Sequence, residues 1–345
     1  MEKETLKLQL IMKKVLIVSA TGMGDCLWGT PGIRALKKTF PELEVDLLVT
    51  SLWKSLFEGS PYISGIIEYH SEWYRQPIIG IQLINKQYDA IFIFHANKNF
   101  KRMLPWFRST PIWCHQDHLW VPESNRIKIE GDIHGIQRRF VMLDKFGVRP
   151  DGSDMEIFFD PPTLKKADQI LEVSGFNSRE FAYLNLGAAL ESRRWMVDRF
   201  IELAKRILET TSWSIILGGG PQEKKRALAI FNYLKIPRVM EVCSQPIIVN
   251  ANIISKAKLI VTSDTGPMHV GFATKTPTIA LFGTIPLFGS GPYKIPDHLY
   301  RIIKVEPKIE NNKDTNVNKF NFQGITVDMV WKQVEEMISN FSGLH

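Results

Sequence analysis

Cysteine is scarce in this chain: Cys26, Cys114 and Cys243 are the three in 345 residues. Three is an odd number for a disulfide framework, and their spacing is not that of a metal site. Such usage fits a reducing compartment, so a cytoplasmic protein is expected. Long hydrophobic runs are also missing, and no stretch approaches the roughly 18 apolar residues of a membrane-spanning helix. The first fourteen residues mix charges with a short, broken apolar segment, which does not read as a secretory signal. No internal repeat and no low-complexity tract are found, so a solenoid is not expected. The rest is ordinary globular composition, 44% hydrophobic and 23% charged, and the length suits two domains.

The net charge is +7. Charge of this kind bears on solubility and association rather than on fold. Basic residues gather between positions 98 and 149, among them Lys98, Lys101, Arg102, Arg126 and Arg138. Phe100, Trp106, Trp113 and Trp120 are interleaved with them. The mixture suits plain solubility, or a peripheral surface that meets the anionic inner leaflet of a membrane. No nucleic-acid motif accompanies it, so nucleic acid is not an expected partner.

Short apolar strands alternate with helical patterns in both halves. Val15–Ser19, Val45–Val49, Ile66–Tyr69 and Ala90–Phe94 read as strands in the first half, separated by helices at 29–40, 51–57 and 78–86. Residues 95–133 read as irregular and 134–146 as a helix. In the second half Phe181–Leu186, Ser214–Leu217, Leu259–Ser263 and Thr278–Phe282 are strands, again with helices between them. A polar stretch at 305–324 reads as a loop, and 327–341 as a last amphipathic helix. This alternation predicts an α/β protein with mostly parallel sheets. Domains are expected at 1–165 and 166–325.

Four motifs lie at the ends of these strands. Gly22-Met23-Gly24-Asp25 follows the first, where the glycines permit positive φ and close backbone approach. Asp25 reads either as a helix cap or as a general base. A dinucleotide fingerprint is not formed, because Trp28 stands where the third glycine belongs. Asn185-Leu186-Gly187-Ala188 leads to Arg193 and Arg194, which suit either a solvated basic pair or a diphosphate. Gly218-Gly219-Gly220-Pro221 lets a ligand approach the backbone, with Glu223 next in the helix. Asp264-Thr265-Gly266-Pro267-Met268-His269 is a strand–turn–helix junction whose open N–H groups and dipole favour an anion. Asp264 also reads as a cap, and His269 as a core histidine.

Taken in order with Arg34-Ala35-Leu36-Lys37, Phe200-Ile201-Glu202-Leu203-Ala204 and Pro277-Thr278-Ile279-Ala280-Leu281-Phe282-Gly283, these motifs resemble the heptosyltransferases, family 9 of the glycosyltransferases. The resemblance runs from about Lys14 to Tyr293. It implies a GT-B fold, two Rossmann-like domains with parallel sheets facing a central cleft. The N-terminal domain would take the acceptor and the C-terminal domain the nucleotide sugar. The helix at 327–341 would cross back onto the N-terminal domain.

The implied reaction is inverting and metal-independent, with no cofactor beyond the donor as co-substrate. It moves heptose from ADP-L-glycero-D-manno-heptose to the inner core of lipopolysaccharide, a phosphorylated glycolipid. Asp25 matches the catalytic base, Arg193 the phosphate-binding position, and Glu223 a ribose-side acid. Asp264, Thr265, Gly266 and His269 match the donor turn. Arg194, Gly187, Ala188 and Gly219 fall beside the donor; Gly22, Met23, Gly24, Lys98, Lys101, Arg102 and Arg138 fall on the acceptor side.

The sequence departs from the family in three places. Arg193 stands where lysine is usual, Ala188 and Ala189 replace hydroxyl residues, and the cysteines of many members near the C-terminus are absent. Another nucleotide sugar or a protein hydroxyl acceptor remains open on the same fold. A nicotinamide-dependent oxidoreductase and a silent glycan-binding relative are the readings from other classes.

Overall fold

Strands buried on both faces read as unbroken apolar runs, and Val15–Val18 and Ala90–Ile93 are such runs with no exposed side chain. In the computed structural model they lie at the centre of one of two sheets. The structure describes residues 12–107, 110–188, 191–283, 287–305 and 322–342. Ala189, the N-terminal eleven residues and most of the polar loop at 305–324 lie outside the described residues. The chain divides into unit 1, Met1–Phe158, and unit 2, Phe159–His345.

Unit 1 runs β1 (Lys14–Ala20), α1 (Met23–Leu27), α2 (Thr30–Thr39), β2 (Glu44–Thr50), β3 (Gly65–Tyr69), α3 (Gln76–Ile84), β4 (Ala90–Ala96), β5 (Ile112–His115), β6 (Arg126–Ile127) and α4 (Gly135–Asp144). Its six strands are parallel, in the order β3-β2-β1-β4-β5-β6.

Unit 2 runs α5 (Pro161–Val173), β7 (Phe181–Asn185), α6 (Val197–Thr210), β8 (Ser214–Gly218), α7 (Lys224–Leu234), β9 (Val239–Glu241), α8 (Ile247–Ser255), β10 (Leu259–Ser263), α9 (Gly266–Ala273), β11 (Thr278–Phe282), α10 (Leu287–Ser290), β12 (Tyr300–Lys304) and α11 (Val327–Ser342). Its parallel sheet, β9-β8-β7-β10-β11-β12, repeats the same winding. The order reverses between β1 and β4, and again between β7 and β10. Doubly wound sheets bind ligands outside the carboxyl ends of the strands at such reversals.

Several expectations shift. The stretch at 51–57 is a 3₁₀ helix, Ser51–Leu56, and not an α-helix. Residues 95–133 hold β5, β6 and a 3₁₀ segment, Lys98–Phe107, in place of an irregular span. The boundary falls earlier than 165 because Arg34 of α2 binds Asp151 at 3.0 Å and Glu156 at 2.7 Å, which ties that stretch to unit 1. α5 starts afresh in unit 2, with Asp160 accepting from the Thr163 N–H at 3.0 Å and Pro161 in the first turn.

The apolar face of α11, expected to return to the N-terminal domain, packs within unit 2. Val330, Val334 and Met337 join the core formed by α6, β11 and β12. The approach to α11 is pinned there too: the Trp195 indole N–H donates to the Ile325 carbonyl at 2.9 Å, and Arg199 donates to the same oxygen. Among the described residues no helix is long and apolar enough to cross a membrane.

Candidate active site

In unit 1, β1 delivers the chain to α1 at the strand-order reversal. Gly22 caps that helix with φ −66° and ψ 159°, and neither Gly22 nor Gly24 has positive φ. A Cβ at Gly22 would stand 3.5 Å from Oδ2 of Asp25, an ordinary contact, so neither φ nor space demands glycine there. Asp25 does not cap α1. Its carboxylate is 28% exposed, with His95 Nε2 4.0 Å from Oδ1. Its backbone carbonyl accepts from Arg139 at 2.8 Å. Arg139 is wholly buried, donates also to the Gly135 carbonyl at 2.6 Å, and lies over the rings of Trp28 and Phe94. Burial pushes its guanidinium down to about 10.

His95 belongs to a cluster that the sequence analysis missed. Its ring centroid is 6.3 Å from His115 and 6.2 Å from His118, which are 4.4 Å from each other. Burial lowers all three, His115 to about 3 and His118 to about 4, so the imidazoles beside Asp25 are neutral at pH 7. The available signal was the placement of His95 and His115 at the carboxyl ends of neighbouring strands. No group of three or more metal-ligating side chains among the described residues has the geometry to hold a metal ion.

The acceptor-side candidates scatter. Lys98, Lys101 and Arg102 are exposed on the 3₁₀ segment after β4, Arg138 is paired with Asp117 at 2.8 Å, and Met23 is buried.

In unit 2, Asn185 at the end of β7 donates to the Gly187 carbonyl at 2.9 Å and to Thr262 Oγ1 at 3.0 Å, which fixes the mouth between β7 and β10. Glu223 is buried, accepting from the Gly220 N–H at 3.0 Å and pairing with Arg194 at 3.0 Å. Gly219 has φ +154°, and a Cβ there would come within 2.7 Å of Glu223 Cβ, so glycine is required. Arg194 also donates to the Ala188 carbonyl at 3.1 Å and to Glu191 at 2.7 Å. Each of its three nitrogens has a protein partner, so in this arrangement Arg194 ties the loop to Glu223 and Glu191.

Arg193 is half-buried and acts electrostatically on Asp264. Burial raises the Asp264 carboxyl to about 6, and the Arg193 charge opposes that shift. The carboxylate accepts no hydrogen bond among the described residues. Thr265 is the N-cap of α9, but its hydroxyl donates back to the Ser263 carbonyl at 3.2 Å and leaves the first turn uncapped by a side chain. His269 is buried one turn further in, edge-on to Phe272 at 6.1 Å.

Two Rossmann-like units in one chain, each with its polar motifs at the carboxyl ends of the strands, are the architecture of the GT-B fold class. Solved structures share the fold. A glycosyl transferase of family 9 from Veillonella parvula matches with a TM-score of 0.81 at 18% identity, over 96% of this chain and 99% of that one. Escherichia coli heptosyltransferase WaaC, solved with ADP-2-deoxy-2-fluoro heptose, matches with a TM-score of 0.71 at 17% identity, over 94% and 99%.

The chain belongs to glycosyltransferase family 9 (heptosyltransferase), whose model matches residues 79–319. Lipooligosaccharide heptosyltransferase 2 of Campylobacter jejuni is a relative, 23% identical over 290 residues that cover 81% of this chain and 85% of that protein.

Proposed function

We propose that the protein transfers heptose from ADP-L-glycero-D-manno-heptose to a hydroxyl of the lipopolysaccharide inner core, with inversion and without a metal. Unit 2 holds the donor and unit 1 the phosphorylated glycolipid acceptor. The acceptor oxygen forms its bond to the anomeric carbon as the bond to the diphosphate breaks on the opposite face. Asp25 takes the hydroxyl proton, and ADP leaves. Arg193 and the open first turn of α9 meet the charge that develops on the diphosphate. Arg replaces the usual Lys with a fork able to hold two phosphate oxygens. Asp264, partly protonated near neutral pH, can donate to or accept from a donor hydroxyl, and Glu223 holds the glycine loop beside it.

The observation that carries this reading is the Asp25 carboxylate. It is partly open to solvent, caps no helix, and accepts no hydrogen bond from a described residue, while Arg139 fixes its peptide. A group held in this way is free to accept a proton.

Asp25→Asn tests it. Transfer from ADP-heptose to heptose-deficient lipopolysaccharide should fall by about 10²–10⁴-fold, while ADP affinity by calorimetry stays nearly unchanged. Near-normal transfer removes Asp25 as the base. Thermal shifts with ADP, UDP and GDP identify the nucleotide, since a ligand that binds the native state raises stability.

A further inference from the structure

α3 is apolar on two sides. Ile79 and Leu83 point into the unit 1 core. On the other side Ile78, Ile81 and Ile84 are 62%, 55% and 50% exposed, and just ahead of the helix Trp73 and Tyr74 are 72% and 58% exposed. The three isoleucines recur every third residue, so they share one stripe. Single exposed apolar residues need no explanation, but five within twelve residues form a patch that does. Aliphatic side chains with Trp and Tyr at one end are the composition of a helix lying in a membrane interface.

The flanking charge says which surface covers the patch. The 3₁₀ segment Lys98–Phe107 packs on α3, where the Trp106 indole sits so close to Gly80 that a Cβ would fall 2.3 Å from the ring. That segment carries Lys98, Lys101 and Arg102, all exposed and none with an acidic partner among the described residues. Arg75, at the N-terminus of α3, contacts His70 at 3.1 Å. Glu72 is the exposed acid of the same loop, while Glu68 is paired with Lys54 at 3.0 Å. A cavity of about 750 Å³ opens beside the helix, lined by Lys54, His70, Arg75, Ile78, Gln82 and Lys86 among others.

The patch also lies at the right edge of the sheet. Trp73 and Tyr74 follow the carboxyl end of β3, and Lys98 follows that of β4, the edge on which Asp25 follows β1. Asn97 joins these ends, donating to the Ala20 carbonyl at 3.2 Å and meeting the Tyr69 hydroxyl at 3.5 Å.

We propose that this face of unit 1 binds an anionic phospholipid bilayer, with Trp73, Tyr74 and the outer isoleucines of α3 in the headgroup region and Arg75, Lys98, Lys101 and Arg102 on lipid phosphates. It rests on the reading that the acceptor is borne by a lipid: the docked face would hold the acceptor sugar at the edge that carries Asp25.

The test uses the full chain and sedimentation with vesicles of phosphatidylethanolamine and phosphatidylglycerol, against vesicles of phosphatidylcholine alone. Wild type should bind the anionic vesicles and lose affinity as salt rises. Lys98→Glu with Lys101→Glu should weaken that binding by about fivefold or more per cation removed. Trp73→Ser with Ile78→Gln and Ile81→Gln should lose at least about tenfold in vesicle partitioning. The same triple variant should keep its melting temperature and its transfer to a deacylated, water-soluble acceptor. Asp25→Asn should bind vesicles like wild type, so loss of transfer and loss of docking are read separately. Equal binding to both vesicle types, undiminished partitioning of the triple variant, or a wild-type dimer that this variant dissolves would each overturn the proposal.

Discussion

Asp25 and Asp264 follow the first strand of one winding and the fourth of the other, and their surroundings separate them. Asp264 is buried and its carboxyl is raised to about 6. A carboxyl raised in the folded state stabilises below its unfolded value, near 3.9, and loses that contribution as pH climbs through 6. At pH 7.5 the buried charge costs about 3 kcal/mol. Asp264→Asn should therefore stabilise unit 2 by about 1–3 kcal/mol at pH 7.5 and by almost nothing at pH 4, read by calorimetry, while ADP binding weakens. Sequence marked Asp264 correctly as part of a strand–helix turn; its burial and its relation to Arg193 come from the packing of β10 and α9. Arg193 and Arg194 show the limit more sharply. Neighbours in sequence, they straddle the end of the 3₁₀ turn Glu191–Arg193, and their side chains take different partners. One faces Asp264 electrostatically and the other is held by Glu191, Glu223 and the Ala188 carbonyl.

Among the elements, central strands were the most legible, because burial on both faces leaves an uninterrupted apolar run. β6, β9 and β12 escaped because they are short or lie half-buried at sheet edges, where apolar content fades. The histidine cluster escaped because β4 and β5 bring together residues twenty positions apart. It has a consequence for acid stability. His115 and His118 are held far below the ordinary histidine value, facing Asp117, His95 and Arg139. The unfolded chain then binds more protons than the folded one below about pH 6.5, so stability is complete above that value and falls as acid is added. Moving from pH 7.5 to 5 should cost about 2 kcal/mol for each, about 4 kcal/mol together. Urea unfolding at the two pH values checks this, and His115→Gln with His118→Gln should remove most of the difference.

For the whole molecule, the repeated winding was legible as two series of alternating strands and helices, but the boundary was not. Arg34 decides it, a buried guanidinium that gathers Asp151, Glu156 and the carbonyls of Asp154 and Gly152 onto α2. Both acids reach solvent, so Arg34→Met should destabilise unit 1 by about 2–3 kcal/mol, less than a fully buried pair. Differential scanning calorimetry should show the loss in one transition, with unit 2 unmoved. The terminal helix was legible as an amphipathic element, yet periodicity says only that a face is buried, not against which core. The three thiols lie at the opposite extreme of reactivity. Cys26 is pushed up to about 11, and Cys114 and Cys243 to about 12, all by burial. At neutral pH they carry almost no thiolate, so maleimide dyes should pass the native chain by. A cysteine engineered onto the surface of either half would then be the one reactive thiol, and a dye could be placed there without first stripping the natural residues.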